Sequence, residues 1–255
     1  MLKEKIKKHQ KTIGMHLNLT DVAVARMAGL AGYDFIWIDL EHSYLSLENL
    51  MGHILAIKAG GTDVVVRVPQ NDLTYTKKVL EMGVDGIIFP MIRNAKEANE
   101  QIASTLYPPY GTRGFGPMGA VNFGYEDAIA YVDDTVNHLC RFIQIEHVEA
   151  IDDLDEIMKN EYIDGYIFGP NDLSGSIGET CRVFEPNTRA LMEKSISMLQ
   201  ERDKYIGLAT GDTSETVIKF WDDMGFHMMA AGADFGMLQA AMVKNRKTLE
   251  KVCKK

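Results

Sequence analysis

The 255-residue sequence has few cysteines, no long apolar run and no excess of positive charge. Its three cysteines, Cys140, Cys181 and Cys253, are far apart and form no metal-binding or disulfide motif. No run of about 18 apolar residues is present, so we expect no membrane-spanning helix. The formal net charge of −9 argues against nucleic acid or an anionic membrane as a partner. We therefore expect a cytoplasmic protein that binds a small molecule.

What the sequence does contain is a regular alternation of short β-rich runs and helix-like segments. The runs are apolar on successive positions, as strands buried on both faces are. They cover residues 13–17, 35–40, 63–68, 86–91, 141–146, 165–169, 205–210 and 227–232. Helix-like segments between them include 46–58, 73–82, 95–104, 150–159 and 187–201. Eight βα units predict a single α/β domain over residues 1–255, a TIM (β/α)8 barrel, although periodicity alone also allows a doubly wound sheet.

Polar side chains gather where the predicted strands end. The carboxyl ends of the strands carry the catalytic groups of a β/α barrel, so these side chains should meet at one rim. They are Asp39, Glu41 and His42 after the second strand, Arg67 at the end of the third, Gln144 and Glu146 on the fifth, and Asp172 and Ser174 after the sixth.

Two of these carboxylates, Glu146 and Asp172, come from adjacent strands. Hard oxygen ligands with open positions beside them suit Mg²⁺ or Mn²⁺, so the pair is a candidate metal site. The alternative is that each carboxylate pairs with a rim arginine or lysine.

Three further rim residues have the chemistry of an active site. His42 is a candidate general base, because its unperturbed pKa is near neutrality. Arg67 is a candidate for binding a carboxylate or a developing enolate. Gln144 shares the strand face of Glu146. The alternatives are an ordinary rim histidine for His42 and a structural salt bridge for Arg67; the other histidines, His16 among them, have no such support.

A Pro/Gly-rich stretch over residues 107–120, YPPYGTRGFGPMGA, interrupts the alternation and predicts a loop. Its Arg113 is a candidate contact for an anionic substrate tail, while its glycines and prolines are typical of a rigid turn. The stretch lacks the GxxxxGK[ST] pattern that cradles phosphates, so a nucleotide site is not expected.

Several runs together resemble the HpcH/HpaI aldolase family. They are FIWIDLEHS, VVVRVP, VLEMGVDGIIFPMI, YPPYGTRG, QIEHVEAIDDLDEI and DGYIFGPNDLS, and their order and spacing match from about residue 14 to residue 236. The resemblance implies a barrel of the phosphoenolpyruvate/pyruvate type. It also implies a class II aldolase that needs a divalent metal (Mg²⁺, Mn²⁺ or Co²⁺). Such an enzyme cleaves a 2-keto-4-hydroxy acid to pyruvate and an aldehyde through a metal-stabilised enolate.

The resemblance also implies roles for individual residues. Glu146 of the QIE motif and Asp172 of the GPxDLS motif would hold the metal, and His42 would be the base. Arg67, Gln144, Asn171 and Asp172 would contact the keto-acid substrate.

Glu81 falls on a family carboxylate that raises the basicity of the histidine. It ends a predicted helix at the bottom of the barrel, so it would reach His42 only from a neighbouring subunit. This agrees with the homo-oligomer, a trimer or a hexamer with exchanged helices, that the resemblance implies. The chain departs from many relatives at residues 117–120, PMGA, where they have an arginine, so the aldehyde is expected to be smaller or less polar.

Other functions remain open from the sequence. One is a related metal-enolate lyase, either a CoA-ester lyase of the citrate-lyase β type or an oxaloacetate decarboxylase. Another is a non-catalytic metabolite-binding protein. No lysine stands at a predicted strand end, which argues against a Schiff-base aldolase. No basic cluster for a CoA phosphate is evident, and the four positions Glu146, Asp172, His42 and Arg67 are all filled.

Overall fold

Strands surround a central axis in this chain, with helices outside them. The computed structural model describes residues 1–253, and within them eight parallel strands form a closed barrel in sequence order. The strands are β1 (Thr12–Leu17), β2 (Phe35–Asp39), β3 (Asp63–Arg67), β4 (Gly86–Phe89), β5 (Cys140–Ile145), β6 (Gly165–Phe168), β7 (Ile206–Thr210) and β8 (Met228–Ala233). The predicted TIM barrel is confirmed, and the predicted strand ends are within two residues of the observed ones.

The helices alternate with the strands, and the connections after β5 and β6 each contain two helices. They are α1 (Leu2–Lys7), α2 (Val22–Leu30), α3 (Leu47–Lys58), α4 (Leu73–Glu81), α5 (Ala95–Ala103), α6 (Ala128–His138), α7 (Val148–Asp152), α8 (Leu154–Ile157), α9 (Pro170–Ser176), α10 (Pro186–Glu201), α11 (Glu215–Asp223) and α12 (Asp234–Cys253). No helix within residues 1–253 is both long enough and apolar enough to cross a membrane.

One predicted helix, over residues 150–159, is wrong as a single element. The structure has two short helices there, α7 and α8, which meet at Asp153. The Asp153 side chain accepts a hydrogen bond from the backbone N–H of Ala95, at the start of α5. This tertiary contact lies at the break in the helix.

The two faces of each strand have different partners. On β2, Phe35 and Trp37 point into the barrel, whereas Ile36 and Ile38 pack against the helices outside. Strand side chains alternate between faces, so Asp39 shares the inward face of Phe35 and Trp37 and lies at the carboxyl end. This alternation delivers polar groups to the barrel mouth above an apolar interior.

Helix α1 closes the opposite end of the barrel. Leu2 and Ile6 are buried in the interior apolar cluster, with relative exposures of 2% and 3%. The buried Lys3 ammonium donates to the Leu139 carbonyl at 2.9 Å and to Asp164 at 2.6 Å, next to the starts of β5 and β6. Helix α1 therefore covers the barrel floor, at the end opposite the mouth.

Candidate active site

A cavity of about 350 Å³ opens at the carboxyl ends of the strands. Five predicted residues line it, namely His42, Arg67, Gln144, Asn171 and Asp172. The structure therefore brings together at the mouth most of the residues that the sequence singled out. Their roles in binding and catalysis stay predictions.

Arg67 is held in one orientation by Asp39 on the neighbouring strand. Its Nε and Nη2 donate to the two carboxylate oxygens of Asp39 at 2.9 and 2.5 Å. Burial disfavours the Asp39 carboxylate, but the hydrogen bonds and charge of Arg67 outweigh it and hold the pKa of Asp39 below its ordinary value. The guanidinium therefore keeps its full charge, and the two-point contact fixes its plane.

The remaining guanidinium nitrogen of Arg67, Nη1, is not bound to Asp39 and has other partners at the mouth. Its Nη1 donates to Gln144 Oε1 at 3.3 Å and lies 3.0 Å from Glu41 Oε2. The Glu41 contact is an ion pair without good hydrogen-bond geometry, since Glu41 Oε2 is buried with no hydrogen-bond partner. Gln144 in turn donates from Nε2 to Glu146 Oε2 at 2.7 Å. A continuous polar chain thus connects β3 to β5.

Glu146 is a buried carboxyl with 1% relative exposure. Its second oxygen, Oε1, accepts the backbone N–H of Met91 at 2.6 Å. Burial raises the pKa of Glu146 to about 8, and the nearby negative charges of Asp172 and Glu41 add to this shift. A carboxylate in this environment is stabilised by a cation, because a cation offsets both the desolvation and the repulsion.

The backbone leaves room beside this carboxyl. A Cβ placed on Gly169 would be only 2.4 Å from Glu146 Oε2, so residue 169 must be glycine while the carboxyl keeps this position. Asp172 lies three residues further, exposed in the first turn of α9. The absence of a side chain at Gly169 keeps the space next to the Glu146 oxygen open.

The donors at this place fit a hard divalent cation. Glu146 and Asp172 supply carboxylate oxygens, and the negative charge of Asp172 disfavours the charged form of Glu146. Within residues 1–253, no group of three or more His, Cys, Asp or Glu side chains is arranged to hold a metal. Two protein ligands would leave further coordination positions for water and substrate.

His42 lies in the loop after β2, and Asp39 organises this loop. The backbone N–H groups of Glu41 and His42 donate to Asp39 Oδ1 at 3.0 and 3.4 Å. The His42 ring is 63% exposed, with Nε2 3.8 Å from Glu41 Oε2. It is therefore accessible to a substrate and has an acidic side chain beside it.

Glu81 and Arg113 lie away from this mouth. Glu81 is the last residue of α4, and its Oε1 accepts from Arg113 Nη2 at 3.3 Å. The Arg113 side chain is fully buried and lies over the Tyr107 ring at 4.6 Å, with its Nη2 3.2 Å from the Tyr131 hydroxyl. Arg113 is thus held by Glu81 of α4 and Tyr131 of α6 and does not line the mouth of its own barrel, and its contact with a substrate tail stays a prediction.

His16 is a mouth residue that the sequence reasoning missed. It lines the cavity from β1, next to Trp37, at a centroid distance of 4.9 Å. Its position two residues after Gly14, a glycine that packs directly on Phe35, places it on the inward face of β1. The strand alternation of IGMHL was the signal that would have found it.

Comparisons with known proteins identify the family of this chain. Residues 12–238 match the family model described as HpcH/HpaI aldolase/citrate lyase. A hydroxypyruvate/pyruvate aldolase of Agrobacterium fabrum is 31% identical over 87% of this chain and 83% of its own length. A 2-keto-3-deoxy-L-rhamnonate aldolase of Escherichia coli K12 is 32% identical over 91% of this chain and 84% of its own.

A solved structure supports the same relationship. The HpcH/HpaI aldolase of Desulfitobacterium hafniense superposes with a TM-score of 0.90 at 27% identity, over 99% of this chain and 97% of that one. The resemblance drawn from the motifs is confirmed. Aldolases break carbon–carbon bonds, so the prediction of a carbon–carbon lyase is confirmed with it.

Proposed function

This chain belongs to the HpcH/HpaI aldolase/citrate lyase family, and we propose that it cleaves 2-oxo-4-hydroxy acids to pyruvate and an aldehyde. The observation that carries this proposal is the polar chain from Arg67 through Gln144 to Glu146 at the barrel mouth. It combines a fixed positive charge, an amide and a buried carboxyl, which together suit a 2-oxo acid. The names of the aldolase relatives support the same substrate class.

Arg67 and Gln144 would orient the acid half of the substrate. Asp39 locks the guanidinium in place before the substrate arrives, so no reorganisation is needed when negative charge develops on the oxo group. Asn171 also lines the cavity and would contact the ligand from α9.

His42 would accept the proton of the hydroxyl on carbon 4. The bond between carbons 3 and 4 then breaks, its electrons move toward the 2-oxo group, and an aldehyde leaves. The enolate that remains takes up a proton at carbon 3 and is released as pyruvate. The exposed ring and the nearby Glu41 carboxylate suit this role, because the imidazolium formed would have a negative neighbour 3.8 Å away.

Glu146 and Asp172 would hold a divalent cation of the Mg²⁺, Mn²⁺ or Co²⁺ type. When bound, such a cation supplies Lewis-acid stabilisation of negative charge on the oxo acid. The raised pKa of Glu146 and the space that Gly169 leaves beside its carboxyl support this assignment.

A pyruvate-release assay tests the function. We expect cleavage of 2-oxo-4-hydroxy acids that depends on added Mg²⁺, Mn²⁺ or Co²⁺ and is abolished by EDTA. Glu146→Ala and Asp172→Ala should each lower kcat/KM by about 100-fold or more, since each removes one of two metal ligands. Asp155→Ala, an exposed acidic position far from the mouth, is the matched control and should keep full activity. Activity that survived EDTA and both active-site changes would refute the metal-dependent reaction.

We also propose that the chain assembles as a homo-oligomer, a trimer or a hexamer. Helix α12 supports this, because only its first residue, Asp234, is buried. Exposed apolar side chains follow along the helix, namely Phe235, Leu238, Met242, Leu249 and Val252. An apolar face of this kind is stabilised when a second copy covers it. The same assembly would bring Glu81 of one subunit toward the mouth of its neighbour.

A further inference from the structure

The barrel mouth contains a partly buried histidine that the proposed reaction does not use. His16 extends inward from β1 and lines the cavity together with Arg67 and Asn171. Its ring lies 4.9 Å from that of Trp37, and the Arg67 guanidinium lies 5.5 Å from the same Trp37 ring. His16 and Arg67 are therefore neighbours around one indole, close to where the 2-oxo acid would bind.

A contact with the backbone identifies which ring nitrogen of His16 carries a hydrogen. His16 Nδ1 is 3.0 Å from the carbonyl oxygen of Gly232 on β8. A carbonyl only accepts hydrogen bonds, so Nδ1 carries the hydrogen and Nε2 has a free lone pair. Burial lowers the pKa of His16 below its ordinary value, against the opposing effect of the Gly232 contact, and this favours the neutral ring.

The free nitrogen thus presents a hydrogen-bond acceptor at the mouth. Within residues 1–253, Nε2 has no hydrogen-bond partner, while the nearby carboxylate of Asp39 is occupied by Arg67. An acceptor held in a cavity of this kind discriminates strongly between a ligand hydroxyl and a methyl group of the same size, because the methyl leaves the acceptor unpaired.

We propose that His16 selects 2-oxo acids with a hydroxyl group on carbon 3, the carbon next to the oxo group, by accepting a hydrogen bond from that hydroxyl at Nε2. The proposal rests on the proposed function for the placement of the oxo acid on Arg67. It extends that function to 2-oxo-3,4-dihydroxy acids, whose cleavage releases an acid with a C3 hydroxyl in place of pyruvate. His16 is then a specificity-determining residue, and it does not transfer the proton in the cleavage.

An isosteric pair of ligands tests this proposal without catalysis. Hydroxypyruvate and 2-oxobutanoate differ by a hydroxyl in place of a methyl, and neither has the C4 hydroxyl that cleavage requires. Dissociation constants are measured by isothermal titration calorimetry on the full chain with Mn²⁺ present. We expect the wild type to bind hydroxypyruvate about tenfold more tightly than 2-oxobutanoate.

Three variants test whether the acceptor nitrogen of His16 causes the preference for hydroxypyruvate. His16→Phe keeps a flat ring but removes the acceptor, and the ratio of the two constants should fall to about one. His16→Gln places an amide oxygen near the position of Nε2 and should restore part of the preference. His138→Phe, the same change on α6 away from the mouth, should leave the ratio unaltered.

Each contrary result has a distinct meaning. A wild type that bound both acids equally, or a His16→Phe variant that kept the tenfold preference, would overturn the role of His16 and leave the proposed function standing. A wild type that bound neither acid would overturn the role of His16 and the proposed function together.

Discussion

At the scale of single residues, the best-defined contact of the site is the buried pair of Asp39 and Arg67. Their side chains are 5% and 9% exposed. Removing one partner of such a pair leaves the other charge buried and unpaired, which costs about 3–5 kcal/mol. We expect Asp39→Asn to lower the free energy of unfolding by about that amount and to weaken oxo-acid binding, because Arg67 loses its fixed orientation. Urea unfolding and calorimetric titration measure the two effects.

An exposed pair gives the control for this prediction. Asp155 and Arg202 are joined at 2.8 Å, but both side chains are more than half exposed. Such pairs contribute about 0–1 kcal/mol, so Asp155→Asn should change stability little. Equal losses in the two variants would contradict the assigned role of burial.

The pH dependence of the Asp39→Asn effect follows from the depressed pKa of Asp39. A carboxyl with a lower pKa in the folded state stabilises the protein above its unfolded pKa, and this contribution disappears as the pH falls through the folded value. The difference in stability between wild type and Asp39→Asn should therefore be full at neutral pH and shrink as the pH falls below 3.8. A difference that grew in acid would refute the assignment.

The sequence identified polar residues at the mouth better than it identified their partners. Arg67, Gln144 and Glu146 were found because strand ends in a barrel share one rim. The bond of Arg67 to Asp39 was not, since it depends on the register between β2 and β3, in which residue 39 lies opposite residue 67. His16 was missed because a single histidine within an apolar run does not by itself signal a cavity.

At the scale of elements, helix α1 is the feature with the most direct consequence for stability. Ile6 is buried at the barrel floor, so Ile6→Ala should lower the free energy of unfolding by about 2–5 kcal/mol. Because the floor is opposite the mouth, the KM for the substrate should not change. Ile129→Ala, at a position 74% exposed, is the control and should cost less than about 0.5 kcal/mol. A several-fold change in KM for Ile6→Ala would contradict the separation of floor and mouth.

Strands were easier to predict than helices for a physical reason. Each strand is buried on both faces and is therefore an apolar run between polar boundaries, as in FIWID on β2. Helix boundaries depend on contacts made elsewhere in the chain. The Asp153 contact to Ala95 lies where a helix-like segment is interrupted, and local periodicity does not reveal it.

At the scale of the whole molecule, the proposed assembly would account for the exposed apolar side chains of α12 and for the position of Glu81 away from the mouth of its own barrel. The apolar side chains along α12 are exposed in one subunit. Glu81 is half-buried at the end of α4, where burial raises its pKa and the charge of Arg113 opposes this shift. No described hydrogen bond or ion pair joins Glu81 to His42 of its own chain.

Subunit mixing tests whether Glu81 acts on the mouth of a neighbour. Glu81→Gln and His42→Ala should each be nearly inactive alone. Co-expressed in equal amounts, they should recover about a quarter of the wild-type activity. A working site then needs an intact His42 from one chain and an intact Glu81 from the next, each present with a probability of about one half.

Co-expression of His42→Ala with Arg67→Ala is the control. If His42 and Arg67 belong to the same mouth, no mixed assembly restores a site whose two residues come from one chain. Absence of recovery with Glu81→Gln would show that Glu81 does not complete a neighbouring site, whereas recovery in the control would show that His42 and Arg67 do not belong to one mouth.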